Sequence, residues 1–303
     1  MDLRHLVTFE AILREGSFAR AARAQGYSQS TVTLHVQELE KALGVPLFHR
    51  RGRRASLSDA GVALASRCRP VLDGLDSLKR TMTELRAGTG GELRVGSIEP
   101  AASRRLVPML AAFCRARPGL QVRLEVGGSA TISGQVAAGH LDLGLCSLPS
   151  PELQLRFEPL FAERMALLLP ARHPLARRRR VRARDLRGQR LLLTEQGCAY
   201  RRTIEATLRG AGAEVECRME IGSIAALIGA VQNGLGIAIV PVLAARPAPA
   251  RTVLRDLVDP DVSLPVGLVR RENGVLDTPV VSAFLSRLGE ENGGLRGQPR
   301  SRA

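Results

Sequence analysis

Residues 17–61, SFARAARAQGYSQSTVTLHVQELEKALGVPLFHRRGRRASLSDAG, decide how the rest of the chain is read. Ser17 stands where a helix N-cap belongs, and Phe18, Ala21 and Ala22 form a short apolar face behind it. Alanines at 21 and 22 are small enough for another helix to cross closely. Gln25-Gly26-Tyr27 makes a tight turn, and Ser28 is a second N-cap. Val32, Val36, Leu39 and Leu43 then recur at spacings of 4, 3 and 4, which buries one stripe of a third helix. The opposite face carries Gln29, Ser30, Thr31, Thr33 and His35, all compact hydrogen-bonding groups. Upstream, Leu3, Leu6, Val7, Phe9, Ile12 and Leu13 give an apolar face over residues 3–14, and Gly16 supplies a left-handed stop.

A helix that opens on short polar side chains suits the major groove of a duplex, where base edges offer donors and acceptors at that scale. Its free N–H groups near Ser28 favour a phosphate. An ordinary capped helix with a solvated face has the same polarity, so the next residues carry weight. Gly44-Val45-Pro46-Leu47-Phe48 turns the chain into an extended run, followed by His49-Arg50-Arg51-Gly52-Arg53-Arg54 and Ala55-Ser56-Leu57-Ser58. A basic turn centred on Gly52 between two short strands reads as a winged hairpin whose arginines reach phosphates or the minor groove. The expected DNA contacts are Ser17, Arg20, Ser28, Gln29, Ser30, Thr31, Thr33, His35, Arg51, Arg53 and Arg54.

The same stretch closely resembles the N-terminal domain of LysR-type transcriptional regulators. The resemblance rests on SF-x-x-AA in the second helix, SQS-x-V-T in the third, LE-x-x-LG-x-x-LF-x-R after it, and R-x-x-x-L-S-x-AG at the end of the wing. At Leu34 the sequence departs from many members, which carry a polar or basic residue there. The resemblance implies a sequence-specific DNA-binding regulator controlled by a small-molecule effector. Its partners would be double-stranded DNA, the effector, further copies of itself and RNA polymerase.

Outward from this segment, Leu64, Cys68, Val71, Leu75, Leu78, Met82 and Leu85 follow spacings of 4 and 3 in alternation, a heptad seam. Such a stripe either packs on its own domain or joins two copies. The second is favoured here, because one small winged domain offers little core for so long a seam. LysR-type proteins are dimers or tetramers built through such a helix. Pro70 is expected to kink this helix or start a new segment.

Beyond residue 91, apolar strands alternate with amphipathic helices, which implies a mostly parallel sheet. MALLLP at 165–170 opens a second series, and LPVGLV at 264–269 returns to the first. Two α/β lobes with a cleft between them are therefore expected. GHLDLGL and QNGLGIAIVP are similar to phrases of the LysR effector domain, which has the fold of type 2 periplasmic binding proteins. The expected fold is α/β: a winged helix-turn-helix over residues 1–58 (motif about 18–37), then a linker and dimerisation helix with its hinge over 59–90. The effector domain follows over 91–290, with lobe I at 91–162 and 265–290 and lobe II at 163–264, and a disordered tail occupies 291–303.

Cleft chemistry is expected at strand-to-helix turns, where hydroxyls and helix-terminal N–H groups hold anions. The candidates are Ser97, Glu99, Ser129, Thr131, Thr194, Cys198, Tyr200, Arg201 and Ser223. Arg201 would pair with a carboxylate, and Glu99 would repel one unless it meets an ammonium or hydroxyl. The effector is thus a small carboxylate or a zwitterion. Cys198, at a helix N-terminus beside Arg201 and Arg202, leaves a redox-sensing alternative with Cys217 as resolving partner.

The 303 residues carry a formal charge of +15, yet residues 1–60 hold only nine cations against six acids. The densest basic stretch, Arg172 to Arg190, lies between two strand-like runs and reads as a solvated connection. Charge alone is therefore no argument for nucleic acid. No run of ~20 apolar residues and no signal-like start occurs, so a soluble cytoplasmic protein without a membrane partner is expected. The five cysteines and five histidines are dispersed, which gives no metal site and no disulfide framework. GxSxG, HExxH and phosphate-loop motifs are missing from the sequence, so no catalytic residue is assigned and no cofactor is expected. An enzyme fused to a DNA-binding module and a purely architectural DNA binder are the remaining alternatives.

Overall fold

A computed structural model describes residues 2–49, 56–87, 91–213, 215–272 and 278–295. Contacts divide the chain into two compact units, Met1–Ala87 and Gly88–Ala303.

The first unit holds α1 (Leu3–Glu15), α2 (Phe18–Gln25), α3 (Gln29–Leu43) and α4 (Asp59–Ala87). Gly16 and Gly26, at φ 66° and 71°, end α1 and α2 in the left-handed region that side chains avoid. Phe9, Ile12, Ala21, Val32 and Leu39 are fully buried between the first three helices. Burying one large apolar side chain is worth roughly 1.5–3 kcal/mol. Ala21 contributes by its smallness, leaving room for the α1 and α3 crossings. Between α3 and α4 the chain forms the base of a hairpin: Phe48 bridges Leu57 antiparallel, and the His49 N–H donates to the Ser56 carbonyl at 2.9 Å.

α4 runs unbroken for 29 residues, about 40 Å at 1.5 Å per residue, so no new segment starts at Pro70. The proline costs its own i→i−4 hydrogen bond and crowds the carbonyl one turn back, but the turns on either side carry the helix through. The heptad stripe divides. Leu64 and Cys68 pack on this unit's own core beside Leu72, which lies off the stripe, while Val71, Leu78 and Met82 are each more than half exposed. The packing alternative thus holds for the first two turns of the seam, and the outward stripe begins after them.

In the second unit the order is β1 (Glu92–Ser97), α5 (Val107–Arg115), β2 (Gln121–Val126), α6 (Ser129–Ala137), β3 (Leu143–Ser147) and β4 (Leu155–Pro170). β5 (Arg180–Arg182), β6 (Arg190–Leu193), α7 (Ala199–Gly210), β7 (Glu216–Glu220), α8 (Ile224–Gln232), β8 (Ala238–Pro241), α9 (Val242–Ala245), β9 (Thr252–Val258), β10 (Ser263–Arg271) and α10 (Pro279–Leu295) complete it. The main sheet runs β2-β1-β3-β10-β4-β9-β5, with β8 also on β4, and β6 pairs with β7 separately. This corrects the mostly parallel sheet. β1 is parallel to both β2 and β3, but β10 and β4 run antiparallel to all their partners.

The cause is β4, a single 16-residue strand. Its first part pairs with β10 and its last residues pair with β8 and β9, so one strand serves both lobes. The arginine-rich run is more than a solvated connection: it includes β5 and buries Leu175, Val181, Ala183 and Leu186. Its arginines point outward, Arg178 pairing with Asp185 and Arg190 with Glu216. α10 continues to Leu295, five residues into the expected tail, whose remainder lies outside the described residues. Among the described residues, no helix is long and apolar enough to cross a membrane, and no group of three His, Cys, Asp or Glu stands ready to hold a metal.

Candidate functional site

Two surfaces concentrate the expected chemistry, one in each unit. On the first, the Ser28 Oγ caps α3 by accepting from the Thr31 N–H at 3.1 Å, and its hydroxyl also meets Ser30 Oγ at 2.7 Å and Thr31 Oγ1 at 2.8 Å. Thr33 Oγ1 donates back to the Gln29 carbonyl at 2.9 Å. Gln29 and Ser30 are exposed, whereas Thr31 and Thr33 are half-buried. Ser17 caps α2 by accepting from the Arg20 N–H, and the Arg20 side chain is exposed. Arg51, Arg53 and Arg54 lie outside the described residues.

His35 is not on the exposed stripe. It turns toward α1, with Nδ1 2.9 Å from Thr8 Oγ1 and its ring 5.1 Å from that of His5. At about 100° per residue, position 35 falls on the far side of α3 from residues 30, 33 and 37. The exposed residues of this face that were left out of the expected contacts are Leu34, 51% exposed, and Gln37. The signal for them was geometric: each lies one turn on from Ser30 or Thr33. Ser28→Ala is expected to lower first-unit stability by about 1 kcal/mol. Thermal melting followed by circular dichroism checks this, and an unchanged midpoint would show that the cap contributes nothing.

The second surface is a cleft of about 730 Å³ in the second unit. Seven expected residues line it: Glu99, Ser129, Thr131, Thr194, Cys198, Tyr200 and Ser223. Ser223 caps α8 through its Oγ, and Ser129 accepts from the Ser147 N–H at 3.3 Å. By contrast, α6 and α7 begin at Gly128 and Cys198 without a side-chain cap, so their first-turn N–H groups have no side-chain acceptor there. Thr194 is 6% exposed, and its Oγ1 meets no partner among the described residues. The Tyr200 hydroxyl donates to the Glu99 carbonyl at 3.0 Å, joining α7 to the turn after β1. Burial raises the Tyr200 phenol above its ordinary range, so it serves as a donor. The Glu99 carboxylate accepts from Ser103 Oγ at 2.8 Å.

Two expected residues do not line the cleft. Ser97 is fully buried beneath it, donating to the Leu145 carbonyl at 3.1 Å. Arg201 is committed elsewhere: Nε to Glu205 at 2.7 Å, and one terminal nitrogen to Glu220 at 2.7 Å and the Thr194 carbonyl at 3.0 Å. The bond to Glu205 leads in raising its pKa, and the guanidinium already has its anions. Cys198 heads α7 on the cleft wall, while Cys217 is exposed on β7. The lining also includes Arg104 and Glu195, which the sequence did not single out, and the apolar Ile98, Val126, Ile224 and Ile228.

A helix-turn-helix unit followed by a two-lobed α/β unit with a cleft is the layout of a DNA-binding regulator with a ligand-receiving domain. Residues 3–62 match the family model "Bacterial regulatory helix-turn-helix protein, lysR family", and residues 86–293 match "LysR substrate binding domain". The chain is 30% identical over 290 residues to the HTH-type transcriptional regulator GltR of Bacillus subtilis, spanning 95% of this chain and 96% of GltR. Its fold is similar to that of a full-length, singly substituted OxyR from Pseudomonas aeruginosa, at a TM-score of 0.66, 24% identity and coverage of 100% and 99% of the two chains. It is also similar to the effector-binding domain of QuiR in complex with shikimate, at a TM-score of 0.63, 16% identity and coverage of 68% of this chain and 99% of that one.

The chain belongs to the LysR family of bacterial transcriptional regulators. It is a DNA-binding transcription factor with an effector-binding domain, and the enzyme and architectural alternatives fall with that membership.

Proposed function

We propose that the protein reads a divided operator as a dimer or tetramer in the cytoplasm, and that a small carboxylate or zwitterion in the cleft of its second unit sets its activity. Gln29, Ser30 and Thr33 at the start of α3 read base edges in the major groove, with Leu34 and Gln37 beside them. Ser17, Arg20, Ser28 and Thr31 contact phosphates, and Arg51, Arg53 and Arg54 add further phosphate contacts. The exposed Val71, Leu78 and Met82 of α4 support self-association, since an apolar stripe at 3–4 spacing gains by pairing with its copy. RNA polymerase is the further partner that a promoter-bound regulator meets.

The observation that carries the effector half is that the uncapped starts of α6 and α7 both line the cleft, together with the buried, unpartnered Thr194 hydroxyl. Helix N-termini hold anions through directed N–H groups and the positive end of the dipole. Effector binding changes the preference for DNA only through differential affinity for two arrangements of the protein.

Titration of the purified protein on its own upstream DNA at several salt concentrations tests the DNA half. Gln29→Ala is expected to relax the choice at one base pair by about 1–3 kcal/mol. Arg53→Ala is expected to weaken all sequences alike and to lower the salt slope by about 1. Equal affinity of the unaltered protein for its own promoter and random duplex would refute the reading.

A further inference from the structure

We infer that the cleft is built for a ligand carrying an acid group and an ammonium group together, an amino-acid-like zwitterion. The inference rests on the cleft being the effector site and goes on to name the effector's charge pattern.

The charged residues of the wall decide it. With Arg201 engaged by Glu205 and Glu220, the charged side chains lining the cleft are Glu99, Glu195 and Arg104. Two carboxylates therefore outnumber one guanidinium. The positive features that remain are mostly backbone: the first turns of α6 at Ser129, Ala130 and Thr131, and of α7 at Ala199 and Tyr200. A carboxylate is the group that uncapped helix N–H groups hold, and the unpartnered Thr194 hydroxyl offers one more donor in the same cleft. A second carboxylate on the same small molecule meets Glu99 or Glu195, both exposed on the cleft surface, and is repelled as a like charge.

An ammonium reverses that sign. Glu99 is held for the role: its carboxylate accepts from Ser103 Oγ, and its carbonyl accepts from the Tyr200 hydroxyl. Glu195 lies over Gly222, where its Oε2 is 3.4 Å from the position a Cβ would take. The two carboxylates supply acceptors that a three-donor ammonium uses and that a simple carboxylic acid leaves unpaired. Ile98, Val126, Ile224 and Ile228 then give an apolar side chain its place.

The test is a thermal-shift and calorimetric comparison on the full-length protein with three matched sets: the common α-amino acids, their des-amino carboxylic acids including dicarboxylic ones, and their decarboxylated amines. At least one amino acid is expected to raise the melting temperature saturably, with its des-amino and decarboxylated counterparts at least tenfold weaker. Glu99→Gln is expected to weaken that amino acid tenfold or more while leaving the des-amino acid within about twofold of its wild-type affinity. Glu195→Gln provides a second variant, and the wild-type comparison decides the matter if either variant folds poorly. A mono- or dicarboxylic acid that binds more tightly than every amino acid overturns the zwitterion inference and leaves the effector cleft standing. No saturable binding from any of the three sets overturns both.

Discussion

At pH 8, Glu163→Gln is expected to raise the melting temperature of the second unit's transition, and the gain is expected to vanish as the pH falls toward 5. Glu163 sits on β4 opposite Leu264 of β10, 3% exposed, with one carboxylate oxygen meeting no partner among the described residues. Burial is the leading cause that pushes its pKa up from 4.5 to about 7, opposed by Arg105 and the backbone N–H of Leu243. Tyr200 faces the same region, and the Glu163 charge contributes to its own upward shift. Below pH 4.5 both folded and unfolded chains keep the proton, so no penalty arises. Between 4.5 and 7 the unfolded chain loses it first, and stability falls with rising pH. Above 7 the penalty is complete, about 3 kcal/mol at most. Glutamine removes the charge but leaves an amide to satisfy, which takes back about 1 kcal/mol. The net gain of about 2 kcal/mol corresponds to roughly 4–8 °C at pH 8. Equal melting shifts at pH 5 and pH 8 would contradict a buried, titrating carboxylate.

Gly61→Ala is expected to unfold or severely loosen the first unit. Gly61 lies in the first turn of α4, where a Cβ would stand 2.1 Å from the Leu47 carbonyl oxygen and 2.9 Å from a methyl of Leu57. The site is pinned on both sides: Ser58 Oγ accepts from the Gly61 N–H at 3.1 Å and donates to the Pro46 carbonyl at 2.6 Å. With backbone as the obstacle, no side chain can swing away, and the cost reaches about 3 kcal/mol or more. Operator affinity should fall with the folded fraction. Gly229→Ala in α8, with nothing within 4 Å, serves as the contrast and should stabilise by up to about 1 kcal/mol. A Gly61→Ala protein that melts like the wild type would show that the junction of hairpin and helix gives way.

The helices of the first unit were legible because each carries its own punctuation. Ser17 and Ser28 cap, Gly16, Gly26 and Gly44 stop, and the 3–4 spacing between them names the buried side. What polarity could not settle was the neighbouring pair Leu34 and His35. Solvation alone would put the histidine outside, but helical phase puts it against Thr8 and leaves the leucine in water. Phase outranks polarity there. In the second unit, the turns that line the cleft were readable as strand-to-helix junctions. Arg201 was not, because Glu220 lies nineteen residues away on another element and only the folded chain brings the two together. β9 went unseen since TVLRDLV mixes charge into its run, and β4 looked short because only its last six residues are continuously buried or apolar.

That long strand has a mechanical consequence. β4 and β10 form a two-stranded ribbon, paired from Leu155–Arg271 at one end to Arg164–Ser263 at the other, with a register shift at Val266/Gly267. A bonded ribbon resists stretching and sliding far more than it resists twist, so any relative motion of the two lobes would load it in torsion. At the register shift the two strands lie so close that a Cβ on Gly267 would stand 2.3 Å from the Glu158 carbonyl oxygen, so only glycine fits where the ribbon bends.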